Sequence, residues 1–194
     1  MPQWERWYAA DDIPWDHDDP APSLIEAVLR LGGGGRALEF GCGTGAHAVW
    51  LARHGYTVTA IDLAPTAVER ARARAVVFGV PVELKVADAL EALPVEPGSI
   101  DLAVDRGVFH SVAPADRERF TARVAEALRP GGRWISLVGN ADEATPDRGP
   151  PRLTATELAG AIEPRFVIDE LVAVPLGPAR AGDLLGWRVV ARPR

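Results

Sequence analysis

RALEFGCGTGA, residues 36–46, runs from an apolar strand into three glycines spaced two apart and out into a helix. Gly41, Gly43 and Gly45 let the backbone turn tightly and approach a ligand with no Cβ in the way. Working outward, AHAVWLARH (46–54) reads as the helix, stopped at Gly55, and YTVTAID (56–62) as a second strand. PTAVERARARAVVF (65–78) is a helix opened by Pro65, followed by strands VELKVAD (82–88) and IDLAVD (100–105). PADRERFTARVAEALR (114–129) places Phe120, Val124, Ala127 and Leu128 on one helical face, PGG stops it, and GRWISLVG (132–139) is strand five. Upstream, SLIEAVLRL (23–31) is a lead-in helix with Ser23 as expected N-cap, ended by Gly32 to Gly35. Strands alternating with helices predict an α/β fold, a mostly parallel sheet covered by helices on both faces, with ligands at the carboxyl ends of the strands.

After Gly139 the pattern changes. NADEATPDRGPPR (140–152) is a polar, proline-rich loop, and TATELAGAI (154–162) a short helix with Thr154 as cap and Glu157 at the capping-box position. FVIDELVAVPL (166–176) and WRVVARP (187–193) complete a count of seven strands, the last pair close enough in sequence to run antiparallel.

Composition narrows the function classes. The 194 residues are 47% hydrophobic and 25% charged, as expected of one globular domain. The net charge of −6 argues against affinity built on nucleic-acid phosphates or an anionic membrane. Residues 1–19 hold six acids against Arg6 alone, −5 of that −6, so the N-terminal arm is a separate electrostatic object. One cysteine, Cys42, and four histidines give no zinc motif, and no apolar run approaches a bilayer span; a cytoplasmic location is the default.

The glycine turn alone leaves two cofactor classes open. Gly41-x-Gly43-x-x-Ala46, with Asp62 ending strand two, also satisfies the loose dinucleotide fingerprint, so a nicotinamide-dependent oxidoreductase is one alternative. A cofactor-binding regulator without turnover is another.

ALEFGCGTG (37–45) resembles the first motif of the class I S-adenosylmethionine-dependent methyltransferases, which implies a Rossmann-like seven-stranded sheet with the last strand antiparallel. Under that resemblance Asp62 pairs with both ribose hydroxyls and Asp88, in VADAL, meets the adenine amino group. ALRPGGRWI (127–135) matches the family's turn before strand five. The resemblance implies a cofactor set of Glu39, Gly41, Cys42, Gly43, Gly45, Leu63, Ala87, Asp88, Ala89, Asp105 and Arg106, the last as partner of the cofactor carboxylate or of a local acid. The arm segment IPWDHDDPAP, with Trp4, Trp7, Pro14, Trp15, Asp16, Pro20 and Pro22, is similar to the thiopurine and thiol/halide methyltransferase group. There it closes over the cofactor, so residues 1–22 are expected to form a lid carrying Trp15, on a single domain of residues 23–194. DRGVFHSV (105–112) and Gly149-Pro150-Pro151 are similar to the same group, the latter in an acceptor-side loop over 140–152.

The implied reaction is methyl transfer to S, N or O of a small molecule by a monomer or homodimer. His110, beyond strand four, and Asp16 are the candidate bases; a purely structural histidine is the alternative for His110. Asp18 and Asp19 stand where the resembling group has glycine and often arginine. Were they to face the pocket, a neutral or cationic acceptor would be favoured; the alternative is a solvated face.

Overall fold

The computed structural model describes residues 3–142, 150–177 and 184–194. Its strands are β1 (Gly35–Phe40), β2 (Tyr56–Asp62), β3 (Val82–Val86), β4 (Ile100–Arg106), β5 (Leu128–Asn140), β6 (Arg152–Leu153), β7 (Phe166–Pro175) and β8 (Leu185–Pro193). They form one sheet in the order β3-β2-β1-β4-β5-β8-β7, with β6 paired to β5 off that path. The first five strands run parallel, and β8 is antiparallel to both β5 and β7. Strand order reverses at β1, whose neighbours are β2 on one side and β4 on the other. Chain leaving β1 and chain leaving β4 therefore diverge to opposite faces, opening a crevice at their carboxyl ends.

Alternation along the strands feeds two cores. Ala37, Val58, Ala60, Leu102 and Val104 pack with Leu24 and Val28 of α2 (Pro22–Leu31), Leu51 of α3 (Ala46–Arg53) and Val68 of α4 (Pro65–Val77). Leu38, Phe40, Ala103 and Trp134 pack instead with Phe120 and Val124 of α5 (Arg117–Ala127) and Leu158 and Ile162 of α6 (Ala155–Ile162). The α6 capping box forms as expected, Glu157 N–H donating to Thr154 Oγ1 at 3.1 Å and Thr154 N–H to Glu157 Oε2 at 2.8 Å.

Four local readings are corrected. The N-cap of α2 is Ala21, with Pro22 opening the helix, and Ser23 Oγ donates to the Pro175 carbonyl at 3.1 Å. A helix in the arm, α1 (Gln3–Ala9), was not expected. Strand β5 begins at Leu128, which pairs with Ile100 before a bulge, and pairing resumes at Leu102 with Arg133. The two-residue β6 makes the sheet eight-stranded. Of the expected loop over 140–152, residues 143–149, including Gly149, lie outside the described residues.

Candidate functional site

The three glycines all adopt positive φ, at 64°, 53° and 86°. A Cβ on Gly41 would run into Cγ2 of Val108, and one on Gly45 would lie 2.9 Å from the Ala71 Cβ. A Cβ on Gly43 would lie 3.0 Å from the Tyr8 hydroxyl, so the middle glycine faces the arm. The loop is pinned to β2, because Cys42 N–H donates to the Ile61 carbonyl and Gly43 N–H to Asp62 Oδ2, each at 2.9 Å. Ala64 N–H donates to Asp62 Oδ1 at 2.9 Å. Burial raises the Asp62 pKa, and these amides oppose the rise. Each carboxylate oxygen keeps a lone-pair site beyond the amide it accepts. Cys42 is buried, and burial holds its thiol well above the usual range, so it packs and does not act as a nucleophile.

Strand β3 carries the chain to Ala87, whose N–H donates to the Asp62 carbonyl at 2.9 Å, which sets Asp88 beside the end of β2. Asp88 Oδ1 accepts from Leu90 N–H at 2.8 Å, a local turn that fixes the carboxylate. Ala89 packs against the second core, and Leu63 is exposed. The loop, Asp62 and Asp88 thus follow three adjacent parallel strands at one edge of the sheet.

At the end of β4 the two expected cofactor residues separate. Asp105 is fully buried on the side of Ala103. Its Oδ1 accepts from Phe109 N–H at 3.1 Å and its Oδ2 from Trp134 Nε1–H at 3.0 Å. Desolvation pushes its pKa up to about 6. This corrects its assignment as a cofactor residue: the side chain organises the turn after β4 and is closed to a ligand. Arg106 is the next residue along and lies on the opposite face by strand alternation. Its Nη1 donates to the Trp15 carbonyl and its Nε to the Leu176 carbonyl, each at 3.0 Å. Burial lowers its pKa, with Asp16 and Tyr8 countering, and among the described residues it forms no ion pair.

His110 is buried, and Gly139 N–H donates to its Nδ1 at 2.8 Å. The accepting nitrogen carries no proton, so the neutral ring holds its hydrogen on Nε2. Burial, and then the Arg106 charge, pull its pKa down to about 4. The expectation of His110 as a base is corrected accordingly: its lone pair is already engaged, and Nε2–H can only donate.

The arm lies across this edge. Trp15 meets Trp4, Trp7 and Tyr8 edge-on, with ring centroids 5.5, 5.7 and 6.2 Å away, and its Nε1–H donates to the Tyr8 hydroxyl at 3.3 Å. Asp16 Oδ1 accepts from Thr44 Oγ1–H at 2.7 Å, placing that carboxylate against the glycine loop. Along α4, Thr66 N–H donates to Glu5 at 3.1 Å, Arg70 to Asp11 at 2.6 Å, and Arg74 to Asp18 at 3.0 Å. The side chain of Asp18 is 99% exposed and Asp19 is exposed, so the acidic pair faces solvent and Arg74 and lends no charge to a pocket.

Three contributors escaped the sequence reading. Tyr8 covers Gly43, Thr44 holds Asp16, and His47 bridges Glu39 and the arm. Only the Thr66, Arg70, Arg74 row, at helical spacing of four, was a signal that something docks on α4.

The family described as a methyltransferase domain matches residues 37–132. Probable thiol methyltransferase 2 of Arabidopsis thaliana is 31% identical over 197 residues, covering 95% of this chain and 84% of that protein. The 2-heptyl-1-hydroxyquinolin-4(1H)-one methyltransferase of Mycobacteroides abscessus is 29% identical over 160 residues, covering 81% and 70%. A structure described for the conversion of a disulfide bond into a thioacetal group during echinomycin biosynthesis superposes with a TM-score of 0.79 at 27% identity, over 93% of this chain and 85% of that one.

Proposed function

Because the chain belongs to the class I S-adenosylmethionine-dependent methyltransferases, we propose that it transfers the cofactor's methyl group to a sulfur, nitrogen or oxygen atom of a small molecule. The family assignment replaces the nicotinamide reading of the glycine turn and the reading without turnover.

The residues present fit the cofactor. The observation that carries the reading is the row at the carboxyl edge of the sheet: three positive-φ glycines, then Asp62, then Asp88, with Glu39 Oε2 buried beneath and without a hydrogen-bond partner among the described residues. Asp62 would accept from the ribose hydroxyls, Asp88 from the adenine amine, and Glu39 from the ammonium group. Arg106 would meet the carboxylate. Trp15 and the rest of residues 1–22 would act as the lid, with Leu63, Ala87 and Ala89 beside the adenosine. When bound, the cofactor supplies an electrophilic methyl on a sulfonium sulfur. The protein's share is to orient an acceptor in line with it and to exclude water, and orientation alone is worth roughly 7 to 11 kcal/mol.

Of the two candidate bases Asp16 remains, half-buried at the loop with one oxygen committed to Thr44. His110 would contribute its Nε2–H as a donor to the acceptor. The names of the relatives, a thiol methyltransferase and a hydroxyquinolone methyltransferase, support a heteroatom nucleophile. The net charge of −6 supports a small molecule over a nucleic acid as partner. No helix among the described residues is long and apolar enough to cross a membrane. We take the working form to be a cytoplasmic monomer or homodimer.

The test is incubation with methyl-labelled cofactor and a panel of thiols, phenols and N-heterocycles. A labelled product on at least one heteroatom is expected. Transfer to carbon alone, or to none of the panel, would overturn the assignment.

A further inference from the structure

His47, the second residue of α3, is buried and belongs to neither the cofactor row nor the acceptor side. Ala21 N–H donates to its Nε2 at 3.0 Å, a buried bond between α3 and the N-cap of α2, the point at which the arm enters the core. Its Nδ1 lies 3.4 Å from Glu39 Oε1. The Ala21 bond makes Nε2 the bare nitrogen, so the proton resides on Nδ1, on the side of the Glu39 carboxylate. The other oxygen, Glu39 Oε2, is buried with no hydrogen-bond partner among the described residues. Burial raises the Glu39 pKa, and the His47 hydrogen bond opposes the rise.

We propose that His47 is a positioning residue that couples the seating of the arm to the orientation of Glu39 beneath the glycine loop. One imidazole reads both states. With the arm seated, the Ala21 amide holds the tautomer and the ring angle that present Nδ1–H to Oε1, leaving Oε2 free for a cation above. With the arm lifted back to its junction with α2, the Ala21 amide is no longer held against Nε2, the ring is free to turn, and the buried carboxylate loses the group that orients it. An orienting partner behind a ligand-binding group acts in this way without touching the ligand. Coupling is reciprocal, so a cofactor cation held by Glu39 steadies the arm by the same free energy that the arm lends to binding.

This inference rests on the cofactor reading only in its second half, and the experiment separates the halves. Hydrogen exchange of residues 3–21 is measured without cofactor in wild type, His47→Leu and His47→Gln, with the amides of β1 and β4 as internal reference. S-adenosylhomocysteine affinity is measured in the same three proteins. Leucine neither accepts nor donates, whereas glutamine does both. In His47→Leu the arm amides are expected to exchange severalfold faster at unchanged β1 and β4 exchange, and Kd to rise about tenfold, the worth of one buried hydrogen bond. Glutamine is expected to restore most of both, and KM for the cofactor to move more than kcat. Unchanged arm exchange in His47→Leu overturns the proposal, as does faster arm exchange with an unchanged Kd. Equal acceleration of β1 and β4 also overturns it, because His47 would then be a general packing residue.

Discussion

Asp62 uses one lone pair of each oxygen to hold the glycine loop and the start of α4, and offers what remains to a ligand. Asp62→Ala is expected to weaken S-adenosylhomocysteine by at least about 100-fold, since two charge-assisted hydrogen bonds of about 1.5 kcal/mol or more each are lost. Calorimetric titration reads it, and an unchanged Kd would remove Asp62 from the ribose. His110 sets a different expectation, in stability. Its pKa falls from the ordinary 6.5 to about 4 in the folded chain, so the unfolded chain binds more protons between those values. The stability it contributes is complete above about pH 6.5 and is lost as pH falls toward 4, up to about 3 kcal/mol. Asp105 works in the opposite sense, its pKa raised from 3.8 to about 6. Its share is present below about pH 3.8 and lost as pH rises through 6. The two offset each other in wild type. In His110→Asn, where the amide oxygen can still accept from Gly139, urea denaturation from pH 4 to 7 is expected to show stability falling with rising pH more steeply than in wild type. Parallel pH curves for the two proteins would contradict the assignment.

At the scale of elements, the arm and α4 form one docking unit. The ion pairs along α4 are exposed and weak, so the burial of Tyr8 and the aromatic cluster around Trp15 holds the arm. Deleting residues 1–19 is expected to leave the sheet folded by circular dichroism and to abolish turnover. Normal turnover of the shortened chain would end the lid assignment. Most of the central elements were legible because strand, glycine turn and helix carry local signatures: Gly41 to Gly45, the Pro65 helix start and the Thr154 capping box. Helix α1 was hidden, since WERWYAA has no cap and its apolar positions are satisfied only in the folded chain, against Trp15 and against Ala64 and Ala67 at the start of α4. The face taken by Asp105 was also hidden. Strand β4 is buried on both sides, so its sequence carries no polar alternation to say which residue looks toward the crevice. The tautomer of His110 depends on Gly139 of β5, a pairing that no local pattern encodes.

At the scale of the whole molecule, a ligand that joins the carboxyl ends of β1, β2 and β3 to the arm must stabilise the fold by mass action. S-adenosylhomocysteine at 100 times its Kd is expected to add about 2.7 kcal/mol, and NAD at the same concentration to add nothing. Thermal melting with each compound checks this, and a larger rise with NAD would overturn it. The arm also has an optical consequence. Of six tryptophans in the chain, Trp4, Trp7 and Trp15 sit in it, with Trp4 and Trp7 each within 6 Å of Trp15 and nearly perpendicular to it. Indoles so close and crossed couple their excited states, giving near-ultraviolet dichroism of a shape that isolated rings lack. That signal disappears once the rings part, and the opening of the arm is therefore recorded by the chain's own chromophores, in stopped flow and without a label.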